Sequence, residues 1–203
     1  MATARRTQAE RSSATREALL DATIDCLVEE GYAATTTSRV AERAGLSRGA
    51  HLHHFQTRAA LVAGAIERLA LRRLRELAKA GDALPTGPAR TERGLDLLWA
   101  HYANPLFQAA VSLWSHGRTD PELRDHLKAV ERRIDAQTLE LARRLFPALA
   151  ETDQFEPLVQ LSVATVRGLA LLDTLHPGEE RNRRQWPACR ARLAAMIDAA
   201  GSS

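Results

Sequence analysis

Apolar residues recur at three- and four-residue intervals along most of the chain, the period of helices that bury one stripe. Leu19, Ala22, Thr23, Cys26 and Leu27 form such a stripe and predict a helix from about Ala14 to Glu30. Gly31 follows at the position past the helix end, where a left-handed backbone carries no Cβ penalty. Residues 1–13 are polar and Arg-rich without any period, which predicts a mobile arm. Thr35-Thr36-Thr37-Ser38 suits an N-cap and opens a short helix through Ala44, with Val40, Ala41 and Ala44 inward. Gly45 breaks that helix, Ser47 caps another short one to about His54, and Thr57 caps a long one from Arg58 to about Lys79.

After the loop Gly81 to Pro88 the helical period resumes over Arg90 to Tyr102 and Pro105 to His116. Asp120 then stands as a cap, with Pro121 at the first helical position of a long amphipathic helix that Pro147 stops or kinks. Phe155 to Leu175 and Pro187 to Ala200 complete the series, with the polar stretch His176 to Gln185 between them. No strand pattern or internal repeat interrupts it. The predicted fold is all-α. Its expected parts are the arm, a helix-turn-helix domain over 14–60 and a larger helical domain over 61–203.

Composition agrees: 45% of residues are hydrophobic but only 4% aromatic, so Ala and Leu, strong helix formers, must fill the core. The net charge is only +3, yet residues 1–80 carry 13 basic against 9 acidic side chains, and the remainder is nearly balanced. The N-terminal segment is therefore the more basic part, as a phosphate-facing module should be. Cys26 and Cys189 lack metal-type spacing and read as buried small hydrophobes in a reducing compartment. The start of the chain has no apolar signal segment, and Gln160, Arg167 and Asp173 interrupt the longest apolar run, so the expected location is cytoplasmic and no membrane partner is expected.

The stretch from Thr36 to Phe55, TTSRVAERAGLSRGAHLHHF, holds a capped helix, a Gly turn and a second short helix. Ala41 is small where two helices must cross, Gly45 allows a sharp turn, and Leu46 plugs the angle between the helices. Such a unit braces its first helix on the DNA backbone and presents the start of its second to base edges. From Thr15 to about Leu69 the chain resembles the tetracycline-repressor family. The match includes Gly-Tyr after the first helix, the Thr run, the Ala-Gly-Leu-Ser turn, the His-Phe closure and a following Thr-Arg. The resemblance implies a three-helix DNA-binding domain joined by helix four to a domain that binds a small ligand and forms a two-fold dimer through its last two long helices. It places Ser47, Arg48, Ala50 and His51 at the start of the recognition helix. Arg48 is the candidate for base reading, since a guanidinium grips guanine O6 and N7 together. Thr36, Thr37, His53 and Arg58 are candidate phosphate contacts. Leu52 departs from the family, which usually has an aromatic there, so a tyrosine hydroxyl contact is missing and His51 or His53 is left to replace it. His51 and His54 share a helix face, but without an acidic or cysteine partner nearby a metal site is not expected.

Beyond Leu77 the pattern is less specific. Trp99, Tyr102, Phe107 and Trp114, with Arg167, are the candidate pocket residues, although each aromatic taken singly suits a core. Arg167 reads either as pairing with an acid such as Asp173 across a dimer, the favoured reading, or as facing an anionic ligand. Ala164 and Gly168 permit close helix approach; with Leu161, Thr165, Leu169 and Leu172, and with Leu193, Met196 and Ile197 of the last helix, they form the expected dimer face. The expected function is a homodimeric repressor that a small molecule releases from a near-palindromic double-stranded operator. No cofactor is expected, and no nucleophile motif, phosphate loop or metal spacing suggests an enzyme. The alternatives are an activator of the same fold and a helical interaction module that has lost DNA binding.

Overall fold

A computed structural model of the chain describes residues 7–47, 53–87, 89–175 and 181–202. Ten helices lie in these segments, and no strand does. They are α1 (Gln8–Glu29), α2 (Gly31–Ala34), α3 (Thr37–Arg43), α4 (Arg58–Asp82), α5 (Ala89–Tyr102), α6 (Pro105–Gly117), α7 (Pro121–Leu145), α8 (Pro147–Ala150), α9 (Phe155–Leu175) and α10 (Arg181–Gly201). The chain divides into two compact units, residues 1–69 with 109–131, and residues 70–108 with 132–203.

In the first unit the predicted stripe is the core. Leu19, Leu20, Cys26 and Val40 are fully buried, and Ala41 nearly so, where α3 packs on α1. Gly31 takes φ +76° just past α1, as its position predicts. The one-turn helix α2 was not expected, since four residues are too few to show a period. Helix α1 begins at Gln8, six residues before the expected start. The cause is a reciprocal cap: Glu10 N–H donates to Thr7 Oγ1 at 3.2 Å and Thr7 N–H donates to Glu10 Oε2 at 2.7 Å.

In the second unit α10 packs on α5, α8 and α9, and α9 also packs on α5. Helix α10 starts at Arg181, so Pro187 lies inside it rather than at its start. Trp186 holds that early turn in place: its ring is buried, stacks on Trp99 at 5.2 Å, and its Nε1–H donates to Asp96 Oδ1 at 2.8 Å. Arg190 one turn on adds ion pairs to Asp96 at 2.6 Å and Glu92 at 3.1 Å. Cys26 is buried as expected, whereas Cys189 is only partly covered.

Candidate nucleic-acid interface

The helix-turn-helix scaffold is built by its own caps. Thr36 Oγ1 accepts from Arg39 N–H at 3.1 Å and starts α3. At the other end Gly45 turns left-handed at φ +66°. Its N–H donates to Glu42 O at 3.0 Å, while Leu46 N–H donates to Ala41 O at 2.9 Å. This double closure satisfies the last carbonyls of α3 and turns the chain sharply into Ser47.

Two arginines of α3 are engaged at the end of α1. Arg39 grips Glu30 with Nε at 3.1 Å and Nη2 at 2.9 Å, and reaches Glu42 at 3.3 Å. That contact holds the Glu30 carboxyl below its ordinary range. Arg43 pairs with Glu29 and, at 3.6 Å, with Glu30. Their charges are thereby matched within the scaffold, and a phosphate would have to compete with these carboxylates.

Arg58 is engaged differently. Its Nε donates to Thr35 O at 2.7 Å, its Nη2 donates to Tyr32 O, and its guanidinium lies 3.9 Å from the centre of the Tyr32 ring. The first turn of α4 thus clamps the segment that delivers Thr36 and Thr37. Tyr32 also packs against His116 at 4.7 Å, and burial pushes its phenol up. Its role in this clamp was not singled out from the sequence; the Gly-Tyr pair after α1 was the available signal. Replacing Arg58 with Met removes both carbonyl contacts and leaves two acceptors half-buried. The expected cost is about 2 kcal/mol in urea unfolding, and Arg58→Lys should not restore it, because a single ammonium cannot span both carbonyls and stack.

Of the remaining candidates, Ser47 and His53 are exposed and Thr37 partly so, on either side of residues 48–52. Arg48, Ala50, His51 and Leu52 lie outside the described residues. His54 is partly covered, and burial, then His53 and Arg16, push it below the ordinary histidine range. Phe55 closes the unit from beneath: it is buried, and Gly64 leaves room for it, since a Cβ there would stand 3.3 Å from both Phe55 and Leu20. No group of His, Cys, Asp or Glu among the described residues is arranged to hold a metal ion.

The second unit contains an apolar cavity of about 60 Å3 whose walls include Leu77, Leu98, Leu141, Phe146 and Val163. None of the predicted pocket residues lines it. Trp99 is held against Trp186 instead, Tyr102 packs edge-to-face on Phe107 at 5.2 Å, and Arg167 lies over the Tyr102 ring at 5.2 Å. Trp114 belongs to the first unit. This cavity is lined mainly by aliphatic residues, with Phe146 the one aromatic ring in its walls.

The expected dimer residues divide between two faces. Leu161, Leu172 and Met196 are 42%, 44% and 46% exposed, joined by Leu171 at 40%. Ala164 and Gly168 are exposed between them, and a Cβ on Gly168 would touch nothing within 4 Å. Thr165 returns its hydroxyl to Leu161 O at 2.8 Å, so it adds no unsatisfied donor to this face. Leu193 and Ile197, only 5% and 6% exposed, turn inward instead, as does Leu169. They belong to the stripe of α10 that packs within the chain, and Met196 alone of the three named on this helix faces out.

Comparison with known proteins places these features in a family. Residues 19–65 match the model for bacterial regulatory proteins of the tetR family. The HTH-type transcriptional regulator CymR of Pseudomonas putida is 31% identical over 193 residues, covering 91% of each chain. An uncharacterised HTH-type transcriptional regulator of Mycobacterium tuberculosis is 28% identical over 95% of this chain and 99% of its own. A transcriptional regulator structure from Pseudomonas aeruginosa superposes with a TM-score of 0.69 at 23% identity, over 97% of this chain and 99% of the other. The chain belongs to the tetR family of bacterial transcriptional regulators.

Proposed function

We propose that the protein is a cytoplasmic homodimeric repressor that binds a near-palindromic operator and is released from it by a small molecule. The observation that carries the DNA half is the braced turn: Arg58 fixes the entry to α3 and Gly45 closes its exit. The turn so braced leads into Ser47, and in this reading the recognition helix starts there, with Arg48 reading a base and Thr37, Ser47 and His53 meeting phosphates. Arg58 serves this site by positioning Thr36 and Thr37 rather than by touching DNA. The open apolar faces of α9 and α10 support the dimer, whose two recognition helices would enter successive major-groove turns about 34–36 Å apart. The cavity supports the effector, and α4, which runs from the first unit into the second, would be the connecting lever. A ligand that prefers a dimer with altered recognition-helix spacing releases DNA through that differential affinity alone. The reading assigns the chain no reaction.

The test is fluorescence anisotropy on the duplex upstream of the protein's own gene, at several salt concentrations and beside an Arg48→Ala variant. Tight selective binding should fall steeply with salt as phosphate counterions are released. Arg48→Ala should weaken it by roughly tenfold or more and relax the preference over random duplex. Equal affinity for the upstream and random duplexes, unmoved by the substitution, would remove Arg48 from base reading. No binding even at low salt would favour a helical interaction protein.

A further inference from the structure

The segment that Arg58 clamps has little to hold it in place by itself. Helix α2 is a single turn with no side-chain cap at its start, and one turn is too short to be stable alone. At its end Thr35 Oγ1 donates to Gly31 O at 2.7 Å and Thr35 N–H to Tyr32 O at 3.1 Å, both local contacts. Arg58 adds support from α4, to the backbone and to the Tyr32 ring.

A further support comes from well outside the helix-turn-helix. Residues 109–131 belong to the first unit: the later part of α6, the turn after it and the first part of α7. The His116 ring, in the last turn of α6, meets the Tyr32 ring at 4.7 Å with the planes tilted by 57°. Its own helix orients that ring: Nδ1 stands 2.8 Å from Ser112 O, and a carbonyl only accepts, so Nδ1 carries the proton and donates. The backbone of His116 is tied to the start of α7. Asp120 N–H and Thr119 Oγ1 donate to His116 O at 3.1 and 3.2 Å, and Leu123 N–H donates to Asp120 Oδ1 at 3.0 Å. Leu113 and Leu123, on either side of this corner, are fully buried. An anchored corner thus presents one aromatic ring to Tyr32.

We propose that His116 is a positioning residue of the DNA interface: from the α6–α7 corner it sets the Tyr32 ring, and through Tyr32 and Arg58 the turn that carries Thr36 and Thr37. The inference rests on the DNA-binding reading of the first unit and extends the support of that site to α6. Removing the His116 ring frees one side of Tyr32 to change rotamer, and Arg58 then loses the ring it lies over. Apparent operator affinity falls with the fraction of molecules in which the clamp is in place. His116 is exposed, so its replacement opens no core cavity and the loss appears in binding more than in folding.

Anisotropy on the same upstream duplex tests this with the full chain carrying His116→Ala, His116→Phe, Tyr32→Leu, or His116→Ala and Tyr32→Leu together, each checked for folding by urea unfolding. His116→Ala should bind roughly fivefold to tenfold more weakly. His116→Phe, which keeps a ring against Tyr32, should recover most of that loss. The salt dependence should keep its wild-type slope, because no phosphate contact is removed. Once Tyr32 is Leu, adding His116→Ala should cost roughly twofold or less, since the two residues act through one contact. Wild-type affinity in His116→Ala, or losses that add in the double variant, would overturn the proposal and leave the DNA-binding reading intact. A shallower salt slope in His116→Ala would make His116 a phosphate contact and overturn the positioning role. Wild-type protein that binds no duplex even at low salt would end the DNA-binding reading and this inference together.

Discussion

Replacing Leu161 and Leu172 together with Glu is expected to leave the protein monomeric by sedimentation and to weaken operator binding by several orders of magnitude. Four large apolar side chains lie exposed on α9 and α10, while Val28 is the other such residue among those described. The segment Phe155–Leu172 is apolar enough by length and composition to span a membrane, yet only a third of it is buried within the chain. A helix that is apolar on both sides needs a second cover, and the open Ala164–Gly168 stripe lets a symmetry mate approach closely. In a two-fold interface each substitution counts twice, so four carboxylates would enter an apolar contact without partners. At several kcal/mol for an unpaired buried charge, the dimer dissociation constant should rise by roughly 1,000-fold or more. Val28→Glu is the control, on an exposed apolar residue of the first unit, and should leave the oligomeric state unchanged. A double variant that remains a dimer would move the interface off this face.

The same face shows what periodicity can and cannot reveal. Leu193, Met196 and Ile197 are all apolar at helical spacing, and a one-dimensional pattern marks them as a single stripe. In space, Leu193 and Ile197 point into the chain's core while Met196 points out. Which neighbour covers each side of a helix depends on packing against other elements, here α5 and α9, and not on the helix's own pattern. Local signals were more dependable. Thr57, Asp120 and Gly31 act at the helix ends where their chemistry places them, with Ala60 N–H donating to Thr57 Oγ1 at 3.1 Å and Leu123 N–H to Asp120 Oδ1 at 3.0 Å. The early start of α1 was also written locally, as Thr7 followed three residues later by Glu10. No apolar stripe accompanies it, and a cap with exposed helix behind it leaves no periodic trace.

The candidate site was legible in part for a related reason. Capped helices and glycine turns are short-range features, so the scaffold around Thr36 and Gly45 could be read directly. The work of Arg58 could not, because its partners Tyr32 and Thr35 are more than twenty residues back in the chain. A surface-looking arginine beside a DNA-binding motif suggests phosphate; only tertiary contact shows backbone carbonyls occupying it. The cavity posed the converse problem. Its walls are mostly leucines and valines, with Phe146 and the hydroxyls of Thr138 and Ser162, residue types that a core also uses, so no local signal in the chain marks the space.

Lowering the pH from 7 to 4 is expected to destabilise the protein by about 3 kcal/mol through His101 alone. Its folded pKa of about 4 lies below the ordinary 6.5. Above pH 6.5 the imidazole is neutral in both states and contributes no pH dependence. Between 6.5 and 4 the unfolded chain takes up a proton that the folded chain refuses, so stability falls as pH falls. Below 4 both states hold the proton and the penalty is complete. Burial is the larger cause, and Arg73 and Arg167 add repulsion that no pH change in this range removes. Carboxylates elsewhere titrate in the same window, so the measurement is the difference between wild type and His101→Phe in urea unfolding at a series of pH values. Phenylalanine keeps an aromatic ring beside Tyr102 without a titrating nitrogen. The advantage of the variant should grow by about 3 kcal/mol on going from pH 7 to 4, with most of the change below 6.5. A difference that stays flat across that window would mean that His101 takes its proton in the folded state as readily as in the unfolded one.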